Sequence, residues 1–455
     1  MTYRKRKFQS DYVDHLNMSS TEIRKVQGRR VWDSRGRPTV EVEITLASDV
    51  TGRAIAPAGA STGTGEALDL RDGGSALGGL GINTALAAVN GEIASLLIGR
   101  DAKDQAELDH ALIELDGTPN RSRLGGNATV ATSMALLHAT AAAAGHPIWR
   151  YLAGSDGGVI MPLPEIQIFG GGAHAARRVD VQDFMIMCPA ASSFSEALEW
   201  TAEVYRAAGD IMKRAGKLQG VADEGGYWPA FANNEEALDA LVRSIEAAGL
   251  KPGNQVAISL DIAASEFGRG GKYSLALEDR KLDTADMIEM LGGWLKAYPI
   301  VSIEDPLAED DPEGFKEFTS RHGSSCQIIG DDFLVTNAAR VTEAIKNGSV
   351  NAVLIKPNQA GTITETFEAL SVAKKAGFRT IVSARSGETE DVTIAHLAVG
   401  WGAKQLKVGS FSRSERMAKW NEVLRIEEVL GKEAVFAGWS ALNLAKNPVL
   451  AAAMG

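Results

Sequence analysis

Cysteine is almost absent from this chain of 455 residues. Only Cys188 and Cys326 occur, 138 positions apart and in no CxxC spacing. A disulfide framework needs several cysteines, and a thiolate zinc site needs them close together. The sequence therefore supports neither, and we expect a protein of the reducing cytoplasm.

Long apolar runs and an excess of positive charge are also missing. No stretch approaches the roughly eighteen uninterrupted apolar residues of a membrane-spanning helix, and no apolar segment follows the basic residues at 4–7. The formal net charge of −11 opposes binding to a phosphate backbone or to anionic lipid. We therefore expect a globular enzyme with no membrane span and no nucleic-acid partner.

The patterns along the chain predict three parts. Residues 1–22 begin with a basic cluster and are interpreted as a flexible leader. In residues 23–152, a strand-like alternation over 40–46 follows a turn at 33–38 and precedes a long alanine-rich helical region. This order predicts an α+β domain with an antiparallel strand meander and helices. Residues 153–455 repeat a different pattern and are predicted to form the catalytic domain.

In this last part, short apolar strands run into charged residues. From Glu304 onward these charged residues are 22 to 29 positions apart, which accommodates a strand, a helix and their connections. About 290 residues of this pattern predict an α/β fold, a closed (β/α)8-type barrel. Since the carboxyl ends of barrel strands meet at one mouth, one cavity should collect the six charged residues. They are Asp261, Glu304, Asp331, Lys356, Arg385 and Lys407.

Three of these six residues are acids on neighbouring strands. Carboxylates held together in this way do not all stay ionised without a cation. Oxygen ligands with room for water suit Mg²⁺ better than zinc, which prefers imidazole and thiolate. A helix cap or an ion pair is the alternative for any single acid. We predict that Asp261, Glu304 and Asp331 together hold Mg²⁺.

The remaining three residues are cations that face this metal site. A lysine among other cations can have its pKa lowered from about 10.4 and become a general base. Lys356 and Lys407 with Arg385 also form an anion site for a carboxylate and a phosphate. Base and metal on opposite sides predict removal of a proton next to a carboxylate, although either lysine alone could be a solvated charge.

Eight motifs, in order and covering nearly the whole chain beyond residue 22, resemble the enolase family of phosphopyruvate hydratases. The motifs are DSRGRPTVEVEITL (33–46), GASTGTGEALDLRDGG (59–74), ADEGG (222–226), SLDIAASEF (259–267), YPIVSIEDPLAEDD (298–311), GDDFLVTN (330–337), SGETED (386–391) and RIEEVLG (425–431).

The resemblance implies a role for each site residue. Lys356 would take the α-proton of 2-phosphoglycerate, and Lys407 would hold the substrate carboxylate. Glu224 would be the acid that helps the 3-hydroxyl leave. The other implied substrate-binding residues are His174, Gln182, Asp183, Arg385 and Ser386, with Glu304 and Asp331 shared between the substrate and the first Mg²⁺. Ser61 would ligate a second Mg²⁺ when its loop closes.

The sequence departs from the family pattern at several site positions. Ala384 stands where the family has histidine, and Asp183 stands where it has glutamate. Gly170 replaces an asparagine, and Pro357 and Ala360 replace Val and Ile near the base lysine. Losing a charge-assisted hydrogen bond costs about 1.5–3 kcal/mol. All these changes lie on the leaving-group and phosphate side.

Three functions therefore remain open. The first is a divergent enolase, and the second is the same enolisation chemistry on a related 2-phospho or phosphono carboxylate, as in the enolase-like carboxyphosphonoenolpyruvate synthase. A non-catalytic binding or structural protein is the third. The family is homodimeric or octameric, which implies that the turn at 33–38 lies at a subunit contact where Arg35 pairs with an acid of the partner.

Overall fold

An antiparallel sheet of three strands begins the part of the chain that the structure describes. The computed structural model describes residues 20–154 and 158–444, so that residues 1–19 of the predicted leader lie outside the described residues. The strands are β1 (Ile23–Trp32), β2 (Pro38–Leu46) and β3 (Thr51–Ile55) in the order β1-β2-β3. The turn at 33–38 joins β1 to β2, as the sequence predicts.

Helices follow this sheet. They are α1 (Asn83–Ala88), α2 (Ala94–Leu97), α3 (Gln105–Asp116), α4 (Gly126–Ala143) and α5 (Ile148–Ala153), with a π-helical turn at Val89–Ile93 between α1 and α2. Nearly all of α4 is buried, because its small Ala, Gly, Ser and Thr side chains let it pack closely on β2 and β3. Gly52 of β3 touches α4 so closely that a Cβ there would collide with the backbone of Ala139. This region confirms the predicted α+β fold.

Eight strands close into a barrel in the second part of the chain. They are β5 (Leu163–Gly170), β6 (Asp183–Met187), β7 (Ala257–Asp261), β11 (Ile300–Glu304), β12 (Gln327–Gly330), β13 (Ala352–Ile355), β14 (Arg379–Ser383) and β15 (Lys404–Ser410). Their order around the barrel is β11-β12-β13-β14-β15-β5-β6-β7. The predicted eight-stranded barrel is thereby confirmed.

One strand runs against the predicted direction. β6 pairs antiparallel with both β5 and β7, whereas the other neighbours are parallel. The connection at 171–182 holds only a short 3-10 turn (Gly172–Ala175) and no crossover helix, so the chain reverses after β5. Two helices that pack on each other, α6 (Phe194–Arg214) and α7 (Asn234–Ala247), then return the chain to β7. As a result the amino end of β6 lies at the mouth, beside the carboxyl ends of its neighbours.

Helices surround the barrel, and short strands lie outside it. The helices are α6 (Phe194–Arg214), α7 (Asn234–Ala247), α8 (Thr284–Ala297), α9 (Pro312–His322), α10 (Ala338–Asn347), α11 (Pro357–Ala360), α12 (Ile363–Lys375), α13 (Thr393–Gly400) and α14 (Ser414–Leu430). The short strands are β4 (Ile160–Met161), β8 (Gly268–Arg269), β9 (Lys272–Leu275), β10 (Arg280–Asp283) and β16 (Val435–Phe436). Among the described residues, no helix has the length and apolar character to cross a bilayer. The domain boundaries at 22 and 152 stay predictions.

Candidate active site

The mouth of the barrel collects the charged residues that the sequence singles out. Glu304 ends β11 and lies opposite Asp261 of β7, while Asp331 directly follows β12, the next strand on the other side. All three acids are buried. Burial, and after it the negative charge of Asp261, raise the pKa of Glu304 well above its ordinary value. The three acids therefore crowd together as predicted.

Lysines supply the counter-charges of these acids. Lys407 Nζ donates to Asp261 Oδ2 at 2.9 Å and to Glu304 Oε2 at 2.8 Å, and Lys356 Nζ donates to Asp331 Oδ2. Lys407 lies within β15 and not, as the sequence predicted, at its end. The reason is that β15 extends beyond the neighbouring strand β14, whose last residue, Ser383, pairs with Lys407. Both lysines nevertheless point into the predicted cavity.

The pKa of Lys356 moves in the opposite direction to the sequence expectation. Burial lowers the pKa of this ammonium, but the carboxylates around it, above all Asp331 and then Glu304, together outweigh burial and the net pKa is raised. The positive charges of Arg385 and Lys407 act in the expected, lowering direction. The prediction considered the cations around Lys356 and not the direct contact with an acid, which only the three-dimensional fold makes visible.

Several buried oxygens at the mouth are free to bind a cation. Asp261 Oδ1 and Glu304 Oε1 are buried and accept no hydrogen bond. Carboxylate oxygens of this kind are what Mg²⁺ prefers, and burying them unpaired is costly. The predicted triad is not among the described sets whose ligand atoms all lie within 4.8 Å of one another. Those sets are His174–Asp183–Glu224 and Asp305–Asp331–Asp332.

A histidine joins two acids on the other side of the cavity. His174 Nδ1 lies 3.0 Å from Asp183 Oδ1, and its Nε2 lies 3.2 Å from Ser386 Oγ and 3.6 Å from Glu224 Oε1. Burial lowers the pKa of His174, but Glu224 and Asp183 outweigh burial and raise the pKa to about 9. His174 is therefore an imidazolium at neutral pH, which holds the pKa of Asp183 below its ordinary value although burial raises it.

The reversed strand β6 brings two further predicted residues to this side. Gln182 Nε2 donates to Asp261 Oδ2 at 3.1 Å, while its Oε1 is buried without a partner. Asp183 is the first residue of β6, and its Oδ2 lies 3.6 Å from Lys407 Nζ. Had β6 run parallel to its neighbours, its first residues would lie at the far end of the barrel.

Arg385 connects the barrel mouth to the loop at 59–66. Its guanidinium donates to Glu66 Oε2 at 2.9 Å, to the carbonyl of Ser61 at 2.9 Å and to Asn358 Oδ1 at 3.1 Å. Gly59 lies against this guanidinium, and a Cβ there would collide with it. Glu66 was missed in the sequence, although it belongs to the motif at 59–74 and is the only acid of its loop. Because Arg385 has this buried partner, an anionic ligand would share the arginine with Glu66.

The loop that carries Ser61 is tied to the barrel at a second point. Thr64 N and Oγ1 donate to the two carboxylate oxygens of Glu309, at 2.8 and 2.7 Å. Arg340 Nη2 of α10 donates to the carbonyl of Thr64 at 2.6 Å. We call these contacts the Thr64 latch. They hold Ser61 at the edge of the cavity.

Arg35 contacts residues of its own chain, and the expectation that the turn at 33–38 lies at a subunit contact stays a prediction. Its guanidinium is 6% exposed, donates to the carbonyls of Ala58 and Gly59 at 2.9 and 3.3 Å, and pairs with Asp33. The motif signalled an important arginine, but the sequence could not show that the turn folds back against the loop at 56–61.

Other buried polar residues that sequence reasoning missed support the strand ends from below. Asp305 accepts hydrogen bonds from the backbone N–H groups of Asp331 and Asp332 at 2.9 and 2.7 Å. The fully buried Arg416 of α14 donates to the carbonyls of Arg385 and Ser386. The paired acids in EDP (304–306) and GDD (330–332) could have indicated the contact of Asp305 with the backbone of Asp331 and Asp332. No local sequence pattern indicates the contact of Arg416.

A cavity lies between these groups. Its lining contains all the predicted site residues except Glu304 and Asp331, and it includes Ala384, which is buried against it. These two acids lie in the ion-paired layer beneath. The lining includes the two lysines, Lys356 and Lys407, as well as His174 and Glu224. Such an arrangement can hold a small anion and exchange protons with it at two places.

Comparisons with known proteins agree with this geometry. Residues 23–152 match the family model described as "Enolase, N-terminal domain", and residues 158–445 match "Enolase, C-terminal TIM barrel domain". The chain is 50% identical over 420 residues to Enolase 1 of Desulfitobacterium hafniense (strain Y51), covering 92% of this chain and 96% of that protein.

Proposed function

The chain belongs to the enolase family, and from this premise we propose that it is a hydro-lyase that dehydrates 2-phosphoglycerate to phosphoenolpyruvate. The observation that carries the proposal is that Lys356 and the His174–Glu224 pair line the same cavity while each has its own separate partner. Elimination of water across a carbon–carbon bond needs a base on one carbon and an acid on the next.

Lys356 is the proposed base. It accepts the α-proton on Nζ, so it must enter the reaction as a neutral amine. Arg385 and Lys407 favour that form because their positive charges lower its pKa, while the contact with Asp331 opposes it. Engagement of Asp331 as a metal ligand would weaken its contact with Lys356 and so favour the neutral amine.

The buried acids are the proposed metal ligands. Asp261, Glu304 and Asp331 would hold one Mg²⁺, which the unpartnered buried oxygens of Asp261 and Glu304 support, and Ser61 would ligate a second. When bound, Mg²⁺ supplies positive charge that stabilises the negative charge developing on the substrate carboxylate. Lys407 adds a fixed ammonium beside the same acids and orients the carboxylate.

Glu224 is the proposed acid at the leaving group. It gives its proton to the departing 3-hydroxyl, which leaves as water, and the electron pair of the broken C–H bond forms the new double bond. His174 holds this carboxyl group at 3.6 Å, and Gln182 presents an unpartnered buried oxygen nearby. Asp183 acts through His174. Arg385 and Ser386 bind the phosphate, with the guanidinium supplying parallel donors.

A related substrate is the second candidate function. Ala384 borders the cavity with a methyl group where the family has an imidazole, and Asp183 is one methylene shorter than the family's glutamate. Both differences enlarge the leaving-group side, where a 2-phosphono carboxylate could bind as in carboxyphosphonoenolpyruvate synthase. A non-catalytic binding role is the third possibility. The presence of all three proposed metal-binding acids and of both site lysines argues against it.

Exchange of the α-proton in D₂O separates these functions. Purified protein with Mg²⁺ and 2-phosphoglycerate should exchange the α-proton by NMR and produce phosphoenolpyruvate absorbance. Exchange without phosphoenolpyruvate would favour the related substrate. No exchange with 2-phospho or 2-phosphono carboxylates would overturn both enzymatic functions.

The double variant Ala384→His/Asp183→Glu tests the site differences. We expect faster 2-phosphoglycerate dehydration if the wild-type site is a weakened enolase site, by about tenfold for one charge-assisted hydrogen bond regained. Unchanged or lower activity would show that the site is built for another substrate.

The assembly and location of the protein are part of this proposal. A homodimer or octamer remains a prediction from the family. The two cysteines are free and buried thiols, which suits the reducing cytoplasm.

A further inference from the structure

Three cations line a cavity at the far end of the barrel from the active site. Arg379 and Lys404 are the first residues of β14 and β15, and Lys374 lies in the last turn of α12. The same two strands carry Arg385 and Lys407 towards their carboxyl ends. The two cavities therefore lie at opposite ends of the barrel, and we call the second one the amino-end cavity.

The amino-end cavity is large enough for a small molecule and has no acidic lining residue among the described residues. Its volume is about 470 Å³, within the range of ligand pockets. The lining combines the three cations with hydroxyl, amide and apolar groups from Thr380, Ser440, Asn443, Phe378, Ala403 and Ala441. An all-positive lining is unexpected on a chain whose net charge is −11.

None of the three cations has an acid as its partner among residues 20–154 and 158–444. Arg379 Nη2 donates to the carbonyl of Asn443 at 2.9 Å, and its Nε is buried with no partner. Lys374 Nζ donates to the carbonyl of Trp401 at 2.7 Å. The Lys404 ammonium has neither a hydrogen bond nor an ion pair within the described ranges. Within the described residues, Arg379 and Lys374 therefore bind only neutral carbonyl groups, and the Lys404 ammonium has no partner.

The electrostatics of the cluster agree with this contact pattern. Burial lowers the pKa of Lys374, and the positive charge of Lys404 lowers it further. Burial also lowers the pKa of Arg379. In an ordinary surface ion pair, a neighbouring acid would raise these values. Here the ammonium of Lys404 repels that of Lys374.

The backbone of Lys404 is also unusual. Its φ is +67°, in the left-handed region that residues with a Cβ rarely adopt. Such conformations are concentrated at functional sites, where the surrounding fold holds a side chain in place. The conformation adds a second, independent feature at the cavity.

We propose that the amino-end cavity binds a small phosphate-bearing anion. A planar guanidinium with a free Nε–H and two ammonium groups match the oxygens and the charge of a phosphate dianion, while the apolar walls accommodate the body of a phosphate ester. This site goes beyond the proposed function and does not depend on it.

Site-resolved lysine labelling tests the proposal on the intact protein. Lysines are acylated with a small amine reagent, with and without millimolar inorganic phosphate, at an ionic strength held constant with NaCl, and each lysine is quantified by mass spectrometry. We expect phosphate to slow the labelling of Lys404 severalfold. Lys432, an exposed lysine away from the cavity, serves as the internal control and should be labelled at an unchanged rate.

Two further arms sharpen the result. Arg379→Met should abolish the protection of Lys404, and glycerol phosphate should protect at lower concentration than inorganic phosphate if the apolar walls contribute. Equal labelling of Lys404 with and without phosphate in the wild-type protein would overturn the proposal, as would equal protection by chloride. The wild-type measurement decides the matter even if the variant fails to fold.

Discussion

At the scale of single residues, the candidate site depends on which charged groups touch. Lys356 and Glu224 line one cavity, Lys356 beside Asp331 and Glu224 beside His174. The two halves of the proposed reaction can therefore be removed separately, one residue at a time.

Glu224→Gln should stop dehydration but not proton abstraction. Glutamine keeps the shape of the side chain and cannot give up a proton, so that the rate of phosphoenolpyruvate formation should fall by about 10²–10⁴. Exchange of the α-proton in D₂O should persist, because Lys356 is unchanged. Lys356→Met should lose both. If Glu224→Gln loses exchange together with dehydration, the division of roles between these residues is wrong.

His174 should make the stability of the protein depend on pH in the neutral to alkaline range. Its pKa is raised from the ordinary 6.5 to about 9, so its stabilising contribution is fully present below pH 6.5 and is lost as the pH rises through 9. The upper bound of the contribution is roughly 3 kcal/mol. Thermal unfolding of wild type and His174→Gln should differ most at pH 6 and converge above pH 9. A difference that is constant with pH would contradict the assignment.

At the scale of elements, short loops and one reversed strand position the site. The barrel strands from β11 onward follow the predicted spacing because each alternates with a helix, which local sequence reports well. The reversal of β6 was missed, because its direction follows from the length of the connection at 171–182 and from the pairing of α6 with α7. Residue type alone does not report strand direction.

The Thr64 latch should control how well the loop at 59–66 closes. Thr64→Val removes the hydroxyl that donates to Glu309, and we expect kcat/KM to fall by about fivefold, since a hydrogen bond to a charged group that is partly exposed contributes about 1 kcal/mol. Thr64→Ser keeps the hydroxyl and should stay close to the wild type. Equal losses in the two variants would show that the methyl group matters and the latch does not.

At the scale of the whole molecule, the N-terminal part closes the mouth of the barrel. The backbone of Ala58 pairs with Gly387, the backbone N–H of Ile55 donates to Asp391, and Glu66 binds Arg385. These contacts join residues more than 300 positions apart. The active cavity is complete only when the two parts of the chain are docked.

Arg35 provides a test of this docking at the level of assembly. Arg35→Met removes the donor to the carbonyls of Ala58 and Gly59, so that kcat/KM should fall by about tenfold for the loss of one charge-assisted hydrogen bond. The molar mass measured by light scattering should equal that of the wild type, because these contacts lie within one chain. A drop in molar mass would instead support the subunit contact that the sequence resemblance implied.

The sequence by itself determined the barrel, the α+β part and the identity of the acids and lysines at the mouth. These features depend on short-range periodicity and on motifs, which are present before the chain folds. Only the tertiary structure decided which acid faces which lysine, that β6 is reversed, that Glu66 pairs with Arg385 and that Arg35 turns inward. Each of these depends on contacts between residues far apart in the chain, and the free energy of a buried charge depends on those contacts more than on its neighbours in sequence.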